Sequence, residues 1–455
     1  MTTAREVAFD VISAVRSTDA YANLLLPREI ERAGLSSADA GLATELTYGT
    51  LRRIGTYDAI IAAAAGRAAD AIDPPVLDAL RLGAHQLLAT RVPPHAAVNE
   101  TVELVRQAAG RRATGFANAV MRRVSECDEA EWLAQIEADA RSDDEKLAVR
   151  YAHPVWVIRA LRRALAAEGR AEELTALLDA DNAPPAVTMT ALPGIADIPE
   201  GMTPTTQSPI GFRLAGGDPE PLIRSSQGAL RVQDEGSQLA ALALSRATPV
   251  RAGERWLDLC AAPGGKTAVL AAEAHLHGAS LEANELSPAR ARLVRTSVAA
   301  VPGDVPVSEE DGRTRAGRGV YDRILVDAPC TGLGALRRRP EARWRKTPGD
   351  VPELTSLQAE LLAAAVQALS PGGIVAYVTC SPHLAETTGV VAEVERQFPG
   401  RLEQLDARAV ISDVSLTPVD LPAPADGSGR AQLWPHRHGT DAMSITLLRR
   451  VADQT

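Results

Sequence analysis

Residues 257–267 read Leu257-Asp258-Leu259-Cys260-Ala261-Ala262-Pro263-Gly264-Gly265-Lys266-Thr267. An apolar strand that begins at Arg255 runs into a turn of small residues and then into the start of a helix. The two glycines let the backbone approach a ligand closely, the proline stiffens the turn, and amide groups at the helix start favour an anionic group. The spacing is neither GxxxxGK[ST] nor GxGxxG. Taken alone, the stretch is also compatible with an ordinary tight turn between a strand and a helix.

Polar residues follow the apolar strands downstream of this turn. Glu285 follows the second strand, where nucleotide-binding α/β folds hold a ribose diol. Asp311 ends the region expected to hold the third strand and is placed to face an adenine. Strand–helix alternation predicts a doubly wound, Rossmann-like α/β sheet that binds ligands at the carboxyl ends of its strands. The sequence predicts strands at 279–284, 321–326 and 373–378, and a helix over 353–369.

Three domains are predicted along the 455 residues. Residues 1–135 show apolar positions at helical spacing, with helix starts at Ser36 and at Pro74, and are predicted to form an all-α bundle. Residues 136–225 combine a short helix, a strand and stretches rich in Gly and Pro, and are predicted to form a small α+β linker domain. Residues 226–455 are predicted to form the α/β domain.

The composition narrows the class of protein. No run of about 18 apolar residues is present, so no membrane span is expected. The N-terminus lacks a basic region followed by an apolar core, so we expect no secretory signal and a cytoplasmic location. The four cysteines are widely spaced without a CxxC pair, which argues against a disulfide framework and against a metal site.

The net charge of −10 does not favour a nucleic-acid partner, but binding needs only a local basic face. One basic run follows Cys330 and flanks the predicted active site. Two arginine pairs in the N-terminal region are equally compatible with a solvated surface. The basic residues in question are Arg337, Arg338, Arg339, Arg343, Arg345 and Lys346, and the pairs Arg111-Arg112 and Arg122-Arg123.

Two cysteines lie at predicted strand ends. Cys330 comes three residues after Asp327, and Cys380 follows the next predicted strand. A thiolate that adds to carbon 6 of cytosine makes carbon 5 nucleophilic toward an electrophilic methyl group, which is covalent catalysis. The pair therefore predicts methylation of cytosine at carbon 5, without indicating which cysteine is the nucleophile. Cys127 and Cys260 are interpreted as small buried hydrophobic residues.

These motifs together resemble the RNA 5-methylcytosine methyltransferases of the NOL/NOP/Sun family. The resemblance implies S-adenosylmethionine as cofactor, Cys380 as nucleophile and Cys330 as the residue that assists product release. It implies that Asp327 contacts the cytosine ring and that Lys266 lines the same pocket. The segments that carry the resemblance are 233–238, 258–267, 323–334 and 377–381. The implied cofactor contacts are Cys260, Ala261, Ala262, Pro263, Gly264, Gly265, Lys266, Glu285, Arg290, Asp311 and Asp327.

The N-terminal block resembles the NusB-like RNA-binding domain in segments 45–53, 95–104 and 115–123. This domain order is that of the RsmB (Sun/Fmu) subgroup, which implies action on one cytosine of small-subunit (16S) ribosomal RNA, free or partly assembled. A monomer is expected. One departure concerns the Pro-Glu-Glu-Asn-like run that the family usually has after the second cysteine motif. Here Glu386 keeps one acid, but Thr387 stands where Asn is common.

Two other functions stay open from the sequence. The same chemistry could act on transfer RNA or on another ribosomal site, since only the N-terminal resemblance argues against it. A non-catalytic RNA-binding or assembly factor that retains a cofactor pocket is the alternative from another class. A small-molecule methyltransferase is disfavoured, because the two cysteines and the helical block would then have no role.

Overall fold

The computed structural model describes residues 2–18, 20–315 and 320–451. The chain forms two compact units, and each is described by itself. Unit 1 comprises Met1–Arg159, Asp181–Ala183 and Leu336–Lys346, and unit 2 comprises Ala160–Ala180, Pro184–Ala335 and Thr347–Thr455. The predicted three-domain division at residues 135 and 225 stays a prediction.

Unit 1 is helical, as predicted. The first helix begins with a capping box, in which Thr3 accepts a hydrogen bond from the Glu6 amide and the Glu6 carboxylate accepts one from the Thr3 amide. Ser36 caps the third helix and Pro74 opens the fifth, both as the sequence predicts. The helices are α1 (Ala4–Ser17), α2 (Ala22–Ala33), α3 (Ser37–Arg52), α4 (Ile54–Ala65), α5 (Pro74–Ala89), α6 (Pro94–Ala109), α7 (Arg111–Val124), α8 (Glu129–Ala138) and α9 (Asp143–Tyr151).

The basic segment Leu336–Lys346 belongs to unit 1. Arg343 is fully buried there and donates hydrogen bonds to Asn182 Oδ1 at 2.8 Å and to the Ala152 carbonyl at 3.1 Å. Arg345 donates to the Val15 carbonyl at 3.1 Å. The prediction that this run forms one basic face for RNA is therefore wrong for Arg343, because its guanidinium is used inside the protein.

Unit 2 contains a small antiparallel sheet in the order β2-β3-β1-β4. Its first strand confirms the strand predicted near residue 188. Met189, Ala191, Phe212 and Leu230 form a separate apolar cluster on it. The elements of this region are α10 (Val155–Ala166), whose first residues belong to unit 1, α11 (Leu174–Asn182), whose last residues belong to unit 1, β1 (Thr188–Ala191), β2 (Thr203–Pro204), β3 (Gly211–Arg213), α12 (Glu220–Ser225) and β4 (Leu230–Val232).

The large sheet of unit 2 confirms the predicted α/β fold. Its order is β10-β12-β9-β8-β5-β6-β7, with β11 paired to β12. Strands β5 to β9 run parallel, whereas β12 pairs antiparallel with β9 and β10. Its strands are β5 (Arg255–Asp258), β6 (Ser280–Asn284), β7 (Val307–Ser308), β8 (Tyr321–Asp327), β9 (Leu369–Thr379), β10 (Leu402–Leu405), β11 (Ala431–Gln432) and β12 (Ser444–Arg450). Its helices are α13 (Glu235–Ser245), α14 (Gly265–Leu276), α15 (Pro288–Val298), α17 (Val351–Ala368), α18 (Thr388–Gln397), α19 (Ala407–Val414) and α20 (Pro435–His438), and α16 (Ala342–Arg345) lies in unit 1.

Apolar side chains cover both faces of this sheet. Along β8, Leu325 packs in one apolar cluster, while Ile324 and Val326 pack in the other. This alternation follows from the two-residue period of a strand, and burial of both faces explains why the strands read as continuous apolar runs. The strand order reverses between β5 and β8, and open α/β sheets bind ligands at the carboxyl ends of the strands at such a point.

No helix in the described part of the chain is both long enough and apolar enough to cross a membrane.

Candidate active site at the carboxyl ends of the strands

The turn between β5 and α14 packs closely against α15. Gly264 has a φ of +105°, and a Cβ there would lie 2.5 Å from the Cβ of Ser297 and 3.0 Å from the Cα of Val294. Ser297 also donates a hydrogen bond to the Pro263 carbonyl at 2.9 Å. A left-handed backbone and a close helix together require glycine at this position.

A buried carboxyl anchors the same turn. The Thr267 hydroxyl donates to Asp258 Oδ2 at 2.7 Å and lies 3.1 Å from the Ala261 carbonyl. Asp258 is 1% exposed, and burial together with the nearby Asp327 raises its pKa to about 7. The fold therefore favours the protonated form of Asp258. Sequence analysis did not assign this role, although the acid at the end of an apolar strand was its signal.

Asn284 joins the ends of three strands, and sequence analysis missed it. Its Nδ2 donates to the carbonyls of Leu259 at 3.2 Å and Glu310 at 2.9 Å. Its Oδ1 accepts from the Ser308 hydroxyl at 2.8 Å and from the Glu310 amide at 3.1 Å. Asn284 thus fixes the edge on which the predicted cofactor residues lie.

The structure brings three predicted cofactor residues together. Glu285 is buried, and its Oε1 accepts from the Ser287 amide at 3.0 Å and lies 3.6 Å from Arg290 Nη1. Arg290 Nη2 donates to the Ala262 carbonyl at 3.2 Å. Arg290 therefore links the glycine turn to the acid that follows β6.

Asp311 is held by a different partner. Its carboxylate accepts hydrogen bonds from the backbone amide and the guanidinium of Arg313, which lower its pKa. Arg313 Nη1 also donates to Glu360 at 2.8 Å. Among the described residues, no hydrogen bond joins Asp311 to the network of Glu285 and Arg290.

The two predicted cysteines meet. Cys330 Sγ and Cys380 Sγ are 3.4 Å apart, although 50 residues separate them in sequence. The cause is the parallel pairing of β8 with β9, in which Asp327 lies opposite Val378, so both loops leave the sheet at one edge. The hydrogen bond to Cys380, together with burial, raises the pKa of the Cys330 thiol well above its usual value. Cys330 therefore stays a protonated thiol near neutral pH.

A lysine–aspartate pair lies at the same edge. Lys266 Nζ is 2.7 Å from Asp327 Oδ2, and the side chains are 12% and 24% exposed. Burial lowers the pKa of Lys266, but the charge and hydrogen bond of Asp327 outweigh it and raise that pKa, with a further contribution from Cys380. Lys266 is therefore a permanent ammonium group next to the reactive region.

Gly334 allows the two cysteine loops to touch. Its amide donates to the Cys380 carbonyl at 2.8 Å, and its carbonyl accepts from the Ala442 amide at 2.8 Å. A Cβ at Gly334 would lie 2.0 Å from the Ala442 carbonyl oxygen. Sequence analysis included this residue in a motif but assigned it no role.

The other two cysteines are only partly buried, which corrects the prediction that they are buried. Cys127 packs at the margin of the apolar core of unit 1, and Cys260 packs beside the cluster that contains Leu257. Cys260 lies two residues after the end of β5, in the turn that leads into α14.

The fold and the site define the class. A mainly parallel sheet with this strand order, a glycine turn after β5 and an acid after β6 is the architecture of an α/β methyltransferase. The chain belongs to the family described as 16S rRNA methyltransferase RsmB/F, which residues 247–449 match. Residues 2–126 match the NusB family.

Individual relatives agree with this family. A Mycobacterium tuberculosis (strain CDC 1551 / Oshkosh) protein named as a methyltransferase is 46% identical over 454 residues, which cover 98% of this chain and 96% of that protein. The ribosomal RNA small subunit methyltransferase B of Pseudomonas putida is 34% identical over 88% of this chain and 90% of its own length. The crystal structure of PH0851 covers 98% of both chains with a TM-score of 0.79 at 20% identity, and this likeness shows the shared fold.

Proposed function

We propose that this protein transfers the methyl group of S-adenosylmethionine to carbon 5 of one cytosine in small-subunit ribosomal RNA, through a covalent bond between Cys380 and carbon 6. The observation that carries the proposal is the meeting of two thiols, 3.4 Å apart, at the sheet edge that also holds the Lys266–Asp327 pair. Membership of an rRNA methyltransferase family supports the reaction class.

The residues around the glycine turn fit the proposed cofactor. The buried Glu285 carboxylate suits the two hydroxyl groups of a ribose, and the amide groups at the start of α14 suit a carboxylate. Cys260 to Lys266, Arg290 and Asp327 would complete the site, and Asp311 would accept a hydrogen bond from the adenine amine. When bound, the cofactor supplies an electrophilic methyl group.

The two cysteines and the Lys266–Asp327 pair would have different roles in the reaction. The Cys380 thiolate adds to carbon 6 of the cytosine and opens the double bond between carbons 5 and 6, which makes carbon 5 the nucleophile toward the electrophilic methyl group that the cofactor would supply. Asp327 hydrogen-bonds the polar edge of the ring, and the ammonium group of Lys266, 2.7 Å away, holds that carboxylate in place. Solvent base takes the proton of carbon 5, the electron pair of that C–H bond restores the double bond between carbons 5 and 6, and the bond between Cys380 and carbon 6 breaks to return the thiolate. Cys330, a protonated thiol beside the departing sulfur, assists this release.

The proposal that the substrate is RNA rests on the domain order. The target base has to leave its stack to reach the site, which favours a loop or a locally opened helix of RNA. The NusB match supports an RNA partner, and the P. putida relative's name supports the small ribosomal subunit. A cytoplasmic monomer is part of the same proposal, and transfer RNA is the alternative substrate.

The test uses the full-length protein, labelled S-adenosylmethionine and small-subunit RNA from cells that lack the gene. Cys380→Ala should abolish methyl transfer, whereas Cys330→Ala should accumulate a protein–RNA species that survives denaturing electrophoresis. Cys127→Ala, in unit 1, is the matched control and should behave as the wild type. Turnover by Cys380→Ala would overturn the nucleophile, and the absence of the trapped species would overturn the release role.

Bisulfite sequencing of RNA from cells with and without the gene identifies the target. Loss of one protected cytosine in small-subunit RNA supports the proposal. Loss in transfer RNA instead would overturn the substrate and keep the chemistry. No loss in any RNA, together with no transfer in vitro, would favour the non-catalytic RNA-binding factor.

A further inference from the structure

A buried carboxylate lies between the two cysteine loops. Glu386 has no exposed surface and stands just before α18. It accepts hydrogen bonds from the Thr331 amide at 2.7 Å, the Thr331 hydroxyl at 2.5 Å, the Ser381 hydroxyl at 2.6 Å and Gln358 Nε2 at 3.1 Å. One side chain thus binds residues from three separate segments.

Two of these partners are the immediate neighbours of the cysteines. Thr331 follows Cys330 and Ser381 follows Cys380, and their hydroxyl groups are also 3.0 Å apart. Glu386 therefore holds the residue after each thiol through a single rigid carboxylate. Movement of either loop would break at least one of these hydrogen bonds.

Rigid elements fix Glu386 itself. Gln358 on α17 donates to both Glu386 and the Pro329 carbonyl, the latter at 2.8 Å. The Tyr377 hydroxyl on β9 donates to the Glu386 carbonyl at 2.6 Å. The carboxylate is therefore positioned by the sheet and by a neighbouring helix, in addition to its hydrogen bonds to the two loops.

The energetics favour a positioning role over simple packing. A buried carboxylate is costly unless hydrogen bonds replace its water, and an apolar residue would fill the same volume without that cost. Hydrogen bonds to an ionised acceptor are short and directional, so they fix geometry more strongly than apolar contact does. A carboxylate with four donors at this place specifies where the two loops lie.

We propose that Glu386 is a positioning residue that sets the distance between the Cys330 and Cys380 thiols. The catalytic value of that distance rests on the function proposed above, whereas the distance itself can be measured without any methyl transfer. Sequence analysis noted Glu386 only as the acid that remains from a family run.

The first experiment measures the distance chemically. Diamide oxidises two close thiols: each loses one proton and one electron, an S–S bond forms, and the N=N bond of diamide takes up both electrons and both protons. Since a disulfide needs a sulfur–sulfur distance of about 2.05 Å, the rate depends on how closely the thiols are held. Mass spectrometry of proteolytic peptides then follows formation of the Cys330–Cys380 disulfide in the full-length protein.

Glu386→Ala should slow this oxidation at least tenfold. Glu386→Gln should lie between Glu386→Ala and the wild type, because its remaining oxygen still accepts and the two hydroxyl groups can turn to accept from its amide. Glu273→Ala is the matched control: Glu273 is equally buried but binds Ser245 and Arg246. Equal oxidation rates for Glu386→Ala, Glu273→Ala and the wild type would overturn the proposal.

A second variant covers the case in which Glu386→Ala does not fold. Thr331→Val keeps the shape of the side chain and the backbone donor but removes one hydroxyl donor, so oxidation should slow several-fold. An unchanged rate in both Thr331→Val and Glu386→Gln would also overturn the proposal.

Steady-state kinetics separates positioning from stability. Glu386→Ala should lower kcat with little change in KM for S-adenosylmethionine, and Glu386→Gln should restore part of kcat. A parallel loss in Glu273→Ala would show a purely structural role and refute the positioning claim. If the wild type transfers no methyl group, the proposed function fails, while the oxidation rates still decide the role of Glu386.

Discussion

Arg343→Ala tests whether the basic segment 336–346 is an RNA-binding surface or part of the interior of unit 1. Arg343 has no exposed surface, whereas Arg339, four residues earlier, is exposed. The guanidinium of Arg339 lies 5.3 Å from the centre of the Tyr21 ring. Arg339→Ala is therefore a matched control with the same loss of charge in the same segment.

The magnitude follows from three contributions. The hydrogen bonds of Arg343 to Asn182 and Ala152 come from a charged donor, and their loss costs about 3–6 kcal/mol. Loss of two buried methylene groups costs about 2 kcal/mol more. Burial lowers the pKa of Arg343 from its ordinary value to about 10, so removing the charge returns about 3 kcal/mol. The expected net loss is about 2–5 kcal/mol, against less than about 1 kcal/mol for Arg339→Ala, since an exposed cation–π contact contributes little.

Hydrogen exchange measured by mass spectrometry shows where in unit 1 stability is lost. Amides of α9 and of residues 181–183 should exchange at least about 30-fold faster in Arg343→Ala, since 1.36 kcal/mol corresponds to a factor of ten. Peptides of β8 and β9 in unit 2 serve as an internal reference. If amides exchange equally fast in the two variants and only Arg343→Ala loses affinity for RNA, Arg343 contacts RNA and does not stabilise the interior of unit 1.

Three further predictions concern charged groups. Because burial raises the pKa of Asp258 to about 7, its neutral form stabilises unit 2 fully below the ordinary pKa of 3.8, and that stability is lost as the pH rises through 7. The free energy of unfolding, measured with urea, should therefore fall by about 4 kcal/mol between pH 4 and pH 8 in the wild type, and this fall should be missing in Asp258→Asn. The same dependence on pH in both proteins would contradict this prediction. Lys266→Met and Asp327→Asn should each lower kcat/KM. Because the two groups are 2.7 Å apart, the loss in the double variant should differ from the sum of the two single losses by at least about 1 kcal/mol. Additive losses would show that the two side chains do not act as a pair. If Arg339 contacts a phosphate of the RNA, Arg339→Ala should reduce the slope of log RNA affinity against log salt concentration by about 1. Filter binding at several salt concentrations measures this slope, and an unchanged slope would exclude the contact.

Local patterns were sufficient for much of the fold. The apolar runs that became β5, β6 and β8 were predicted to within one residue at most ends, because strands buried on both faces need continuous apolar sequence. The strand β9 begins at Leu369, four residues earlier than predicted, because α17 ends at Ala368. A helix boundary of this kind depends on which backbone groups find partners, and periodicity does not show this.

The site was only partly predictable. Strand-end positions identified Asp327, Cys330 and Cys380, since the ends of parallel strands share one edge of the sheet. The roles of Asn284 and Glu386 were not identified, because they depend on hydrogen bonds to residues 24 to 55 positions away. The spacing of residues within one segment carries no information about such partners.

The class of fold, the glycine turn and the edge of the sheet where the reactive side chains collect follow from the amino-acid sequence, since these depend on local hydrophobic pattern and on backbone freedom at single residues. The folded chain was needed to show that the two thiols lie 3.4 Å apart, that Glu386 joins their loops and that Arg343 is buried while Arg339 is exposed. The physical reason is that register between strands and burial of a charge are set by contacts between distant segments. Two arginines with the same chemistry and nearly the same place in the chain can therefore have opposite environments.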